Sequence, residues 1–157
     1  MNNRNIIGLD KCKSSEVVRL LNKLLANYQI HYMNTRGYHW NIQGKEFFEL
    51  HEKFEEVYLD LQGKIDELAE RILTLGGTPN HSFSTYVGVS EIKEHLNARS
   101  GEECMERLQS GFDTLLHMQR VILAFSGDAE DEGTAALMGD YIREQEKLMW
   151  MFNAYNR

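Results

Sequence analysis

The chain has 157 residues, enough for one domain with a substantial core and too few for two of ordinary size. Hydrophobic residues make up 42% and charged residues 26%, with a single Pro, which excludes collagen-like and low-complexity classes, and no stretch is long and apolar enough to cross a bilayer. A formal net charge of -7 repels nucleic acid and concentrates cations, so direct duplex binding by the body of the protein is disfavoured.

Residues 1–13 read as a short flexible tail that carries the one basic bias of the chain, Arg4, Lys11 and Lys13 against Asp10. The same segment lacks the apolar core of a secretory signal, so a cytoplasmic protein is expected. Ser14-Ser15-Glu16 predicts a helix N-cap with an acidic first turn, after which Val17, Leu20, Leu21, Leu24, Leu25 and Tyr28 recur at helical spacing and carry the helix to about Trp40. After a break at Asn41 to Gly44, Phe47, Leu50, Phe54, Val57, Leu61, Ile65, Leu68 and Ile72 form the apolar face of a second helix, which Gly76, Gly77 and Pro79 end. Between Asn80 and Ser100 the pattern weakens, and the runs His81 to Tyr86 and Glu91 to Leu96 predict a crossover with a short helix. Two further long helices are expected over about Glu102 to Phe125 and Thr134 to Tyr155. Four long helices with one long crossover make an all-α, ferritin-like four-helix bundle over 14–157, with a short helix in the crossover between helices two and three. Cys12 and Cys104 show neither CxxC nor Cys/His spacing, so they read as a reduced, inert pair.

The chemistry lies between His39 and Arg71. His51 and Glu55 are four apart and share a helix face, as do Asp66 and Glu70. Glu55 and Asp66 are separated by eleven residues, which returns to within about 20° of the same direction but about 16 Å further along the axis. One metal ion cannot touch both pairs in one chain. A second copy of the helix, antiparallel about a two-fold axis near Asp60 and Leu61, sets His51 and Glu55 opposite the other copy's Asp66 and Glu70, which makes two equivalent sites per dimer. His39, at the end of helix one, is near enough in the chain to join His51. Two imidazoles with three carboxylates and no thiolate suit iron(II) or manganese, and tolerate zinc or copper. Taken singly, Asp66 and Glu70 also read as a solvated face partnered by Lys64 and Arg71, and His51 as an ordinary structural histidine.

His39-Trp40-Asn41, Leu50-His51-Glu52, and Asp66 followed by Ala69-Glu70-Arg71 resemble the motifs of the Dps family, the mini-ferritins named as DNA-binding proteins from starved cells, and the resemblance extends over nearly the whole chain. It implies a ferroxidase centre between two-fold related subunits, with His39, His51 and Glu55 from one chain and Asp66 and Glu70 from its neighbour. It further implies two iron ions per centre, a hollow dodecamer, oxidation of iron(II) preferably by hydrogen peroxide, and a ferric mineral stored inside. The family commonly has Asp where this chain has Glu55, a longer side chain of the same charge. No histidine has Glu three residues before it, which argues against the intrasubunit di-iron centre of ordinary ferritins.

Trp40, beside the ligand, reads either as an auxiliary electron donor or as an aromatic anchor. The resemblance also puts an iron-entry pore at the acidic run Asp128, Glu130, Asp131, Glu132, with Asp140 two turns on; such acids are equally ordinary dipole partners of a helix start, and Ala136 stands where relatives often carry another acid. Arg4, Lys11 and Lys13 are the candidate DNA contacts, and weak or absent binding is expected from so few charges. The competing expectation is a structural DNA-compacting assembly whose metal site is vestigial.

Overall fold

The computed structural model describes residues 3–157. Five helices account for most of it: α1 (Lys11–Asn41), α2 (Phe47–Thr74), α3 (Phe83–Val89), α4 (Gly101–Asp128) and α5 (Glu132–Tyr155). The long helices form two antiparallel pairs, α1 with α2 and α4 with α5, joined by the crossover that carries α3; α1 also packs on α4 and α3. This is the predicted all-α bundle, and no described residue belongs to a β-strand.

Helix α1 begins three residues before the predicted Ser14. Asp10 is the N-cap and accepts from the Lys13 amide at 2.9 Å, and a carboxylate in that place satisfies a donor that the first turn leaves unpaired. Ser14 is instead buried inside the helix. The segment before α1 is therefore not a free tail: Arg4 and Asp10 form an isolated antiparallel bridge, and Asn5 donates to Ser14 Oγ (3.1 Å) and to the Leu75 carbonyl (3.3 Å). At the other end of the hairpin Gly76 takes a left-handed φ of 91°, which stops α2 as the sequence predicts.

Within the crossover only Phe83–Val89 is helical, and the Glu91 to Leu96 run is irregular. Two buried asparagines of α1 supply the partners that a helix would have provided. Asn27 Oδ1 accepts from the amides of Glu91 and Ile92, both at 3.0 Å, and from Ser90 Oγ at 3.1 Å. Asn34 accepts from the His95 amide and donates to the Lys93 carbonyl, both at 2.9 Å. Side chains fixed on a long helix thus do the work of a ladder for a strandless segment.

Among the polar side chains buried with the apolar core, three close a ring of hydrogen bonds. Tyr28 donates to Gln119, Gln119 donates to Gln145 (2.7 Å), and Gln145 donates back to Tyr28 (2.7 Å), so the polar atoms of three fully buried side chains are satisfied by one another. His31 is different. It is buried, packs edge-on against Phe112 with centroids 4.7 Å apart, and leaves Nε2 without a partner. Room for its ring comes from Gly111, where a Cβ would lie 2.3 Å from imidazole atoms.

Desolvation pushes the His31 pKa down from 6.5 to about 3. Below pH 6.5 the unfolded chain binds a proton that the folded chain refuses, so this contribution to stability is complete above pH 6.5 and is lost as pH falls toward 3. Stability should decline by about 1.4 kcal/mol per pH unit across that window. Denaturant unfolding of wild type and His31→Gln at pH 7, 6, 5 and 4 checks this: the wild type should lose ground to the variant at each step.

Candidate metal centre

The junction between α1 and α2 places two histidines face to face. The last carbonyls of α1 have no partner within the helix. The Ile42 amide takes the Tyr38 carbonyl at 3.0 Å, but the Gln43 amide turns away to Arg99, and the His39 carbonyl receives the His51 ring instead, with Nδ1 at 2.6 Å. The arrangement is reciprocal, for His39 Nδ1 lies 2.7 Å from the His51 carbonyl. A carbonyl only accepts, so both Nδ1 atoms carry protons, and in the neutral rings the lone pair of each histidine stands on Nε2. The rings stack with centroids 3.8 Å apart and an interplanar angle of 14°. Phe47 stacks on the other face of His51 at 5.0 Å, and Tyr58 meets His39 edge-on at 5.3 Å. Tautomer and orientation of both imidazoles are therefore set before any ion arrives, which is what outer hydrogen bonds do for a metal-binding histidine.

The carboxylates stand on the solvent side of α2. Glu55, Asp66 and Glu70 are exposed, and with Phe48, Leu59 and Leu73 they fall within about 60° of helix circumference. Those three apolar side chains are 83%, 52% and 55% exposed, an unusual row of large apolar groups beside unpaired acids. The cations that the sequence offers as partners are engaged elsewhere. Lys64 is buried between Asp60 and Glu144, at 2.8 Å from each, and Arg71 reaches Asp131. Asp66 and Glu70 thus have no ion-pair partner among the described residues, and the reading of a solvated face neutralised by Lys64 and Arg71 is corrected. Within one chain, no three His, Cys, Asp or Glu side chains among the described residues come together at metal-binding distance. His39 and His51 are assembled; Asp66 and Glu70 lie further along α2, as their spacing requires.

Two residues near the histidines escaped the sequence reading. Tyr58 carries the edge contact to His39, and Arg36 lies over the rings of Tyr58, Trp40 and Tyr32. Arg36 is one helical turn before His39 and Trp40, and that spacing was the only available signal. Trp40 is 58% exposed and contacts the Arg36 guanidinium at 5.1 Å, so it is no core residue.

The acidic run near 130 is a corner, not a helix start throughout. Asp128 is the last residue of α4, Glu130 has a left-handed φ of 60°, and only Glu132 belongs to α5. Asp131 is removed from the pore candidates: it is 2% exposed and caps α5, accepting from the Thr134 amide (3.0 Å) and hydroxyl (2.6 Å) and from Arg71 at 2.7 Å. Gly133 makes way for this arginine, since a Cβ there would sit 2.7 Å from a guanidinium nitrogen. Glu132 and Asp140 remain exposed, Asp140 beside Arg143 at 3.1 Å. Of the candidate DNA contacts, Lys11 and Lys13 lie in the first turn of α1 and Arg4 in the bridged segment before it. Cys12 is exposed in that same turn, whereas Cys104 is buried in the core.

The model of the ferritin-like domain family matches residues 18–157. The DNA protection during starvation protein of Porphyromonas gingivalis is 44% identical over 150 residues, covering 96% of this chain and 94% of that protein. The crystal structure of the Dps protein from Vibrio cholerae O1, described as one of a broad superfamily of ferritin-like diiron-carboxylate proteins, superposes with a TM-score of 0.98 at 62% identity over 100% of this chain and 98% of that one. A Dps crystal structure from Bacillus brevis gives 0.90 at 34% identity over 93% and 98%.

Removal of Arg71 leaves the Asp131 carboxylate buried without its cation. Arg71→Ala should cost about 3 kcal/mol in denaturant unfolding, and Asp131→Asn less, because the amide oxygen still caps α5.

Proposed function

The chain belongs to the ferritin-like domain family, within its Dps group, and from that premise we propose that it oxidises iron(II) at a centre shared between two subunits and stores the ferric product in the hollow of a larger homo-oligomer, as a dodecamer. The observation that carries this reading is the locked histidine pair beside an acidic, apolar helix face that lacks partners among the described residues. A two-fold axis near Asp60 and Leu61 covers the apolar row and brings Asp66 and Glu70 of the partner subunit to His39, His51 and Glu55. Apolar burial supplies the association energy, and the histidines and carboxylates supply the ligands.

Iron(II) is the substrate. Two ions are gathered by the Nε2 lone pairs and the carboxylates, and each gives up one electron. Hydrogen peroxide takes both electrons with two protons and becomes two waters, so no hydroxyl radical is released. The role of the protein is to hold the two donors together until both electrons have passed. The longer Glu55 weakens the second ion position relative to an aspartate there. Trp40, next to His39 in the chain, is the auxiliary electron donor of this reading when only one ion is bound. The reading accounts for the charge of the body, and it does not require DNA: Arg4, Lys11 and Lys13 are too few for more than a weak, salt-sensitive contact.

Complementation tests the shared centre. A His39→Ala, His51→Ala chain and an Asp66→Ala, Glu70→Ala chain should each fail to oxidise iron(II) rapidly when mixed with stoichiometric peroxide. Co-assembled at equal amounts they should recover about a quarter of wild-type activity, because half the random dimers are mixed and one of their two sites is whole. No recovery from a folded, co-assembled mixture places all the ligands in one chain and sinks the proposal.

Glu132 and Asp140 line the entry route in this reading. In Glu132→Gln, Asp140→Asn, ferric absorbance should rise several-fold more slowly at low iron(II) and reach the wild-type rate at high iron(II), since a focusing field acts on delivery and not on the chemistry. An unchanged rate at low iron(II) leaves these residues a dipole role only.

A further inference from the structure

Among the described residues Arg36 is the most heavily caged cation and has no counter-ion. Its guanidinium carbon lies 5.1 Å from the Trp40 ring centroid, 5.2 Å from that of Tyr58 and 5.9 Å from that of Tyr32. Of its five N–H groups, one side-chain bond is made, Nη1 to Tyr32 Oη at 2.6 Å. Nε is buried and bonded to nothing. No carboxylate among the described residues pairs with it, in a chain that has 24 acidic and 17 basic residues. Other inward-lying cations of the chain are paired, Lys64 with two carboxylates and Arg71 with one. The three rings hold the guanidinium in place and account for its aromatic face. They leave its in-plane N–H groups for an acceptor that no described residue provides beyond Tyr32, and a buried donor without an acceptor is costly.

Carboxylates without cations stand on the same molecule, on α2. In the antiparallel register about Asp60 and Leu61, Asp66 of the partner subunit falls opposite Glu55, one helical turn from Tyr58, the ring on which Arg36 rests. We propose that Arg36 is the counter-ion of Asp66 of the partner subunit in the metal-free assembly, so that the charge of the empty centre is balanced across the two-fold interface by a residue of α1. This rests on the shared-centre reading above and adds to it a cation that holds a ligand in place before iron(II) competes for it. Arg36 is a positioning residue here, not a ligand. The aromatic cage keeps its charge at the rim of the centre when the aspartate turns to the metal, and so disfavours over-accumulation of cations.

The test uses the full chain freed of metal with a chelator, and reads the dissociation constant of the assembly by sedimentation over a range of protein concentrations, with helix content matched by circular dichroism. Arg36→Gln should raise that constant about 10- to 100-fold, as loss of a close interfacial charge pair does. Arg36→Lys should recover part of it, because the charge returns without the planar fork. Asp66→Asn should weaken association to a similar degree, and the double variant should be no weaker than either single one, the signature of two residues that act as a pair. Wild-type association in Arg36→Gln, or losses that multiply in the double variant, overturns the pairing while leaving the shared centre intact. A metal-free wild type that is monomeric at every concentration overturns both.

Discussion

The exchange between His39 and His51, each ring donating to the other's carbonyl, is the contact on which the rest of the molecule's chemistry depends. It closes the end of α1, which would otherwise leave the His39 carbonyl without a partner, and it ties α1 to the first turns of α2 across a five-residue break, 42–46. The same two bonds choose the tautomer of both rings. A helix-capping device and a ligand-orienting device are therefore one structure, and neither histidine can be replaced without affecting both the hairpin and the metal-binding geometry.

Around that contact the polar groups sort into those that the chain satisfies by itself and those that it leaves open. The Tyr28, Gln119 and Gln145 ring is closed, Asn27 and Asn34 hold the crossover, and Arg71 with Asp131 pins the corner between α4 and α5 to α2. These are internal devices that make the bundle rigid. Left open are Glu55, Asp66 and Glu70, the apolar row from Phe48 to Leu73, the Nε of Arg36 and, inside the bundle, His31 Nε2 and Ser126 Oγ. All but Ser126 lie on α1 and α2, the hairpin that carries the histidines. An incomplete site beside an uncovered apolar face is the physical content of the proposal that function begins at the dimer.

Several local patterns in the sequence give way to contacts made outside them. Ser14-Ser15-Glu16 is a sound capping sequence, yet Asp10 caps the helix because Asn3 and Asn5 hold the preceding segment against it. Asp131 resembles its exposed neighbours in sequence and differs only because Arg71, sixty residues earlier, reaches it. Lys64 and Arg71 look like natural partners of Asp66 and Glu70 on the helix, but Lys64, itself buried, pairs with Asp60 and with Glu144 of α5, and Arg71 pairs with the buried Asp131 that caps α5. For Arg71 and Asp131, and for Lys64 with Glu144, a contact distant in the chain overrides the local pattern because one partner is buried and needs a counter-charge.

The period of the apolar residues was enough to determine the helices, their order and the bundle, because a stripe at helical spacing has few ways to be buried. Spacing likewise determined that His51 and Glu55 could not share an ion with Asp66 and Glu70 of the same chain, since rise per residue is a property of the helix alone. Only the tertiary structure decided which nitrogen of each histidine is free, which acids are engaged, and that Arg36 lacks a counter-ion among the described residues. Those outcomes turn on hydrogen bonds and ion pairs between residues far apart in the chain, whose formation depends on ångström-scale placement that no periodicity encodes.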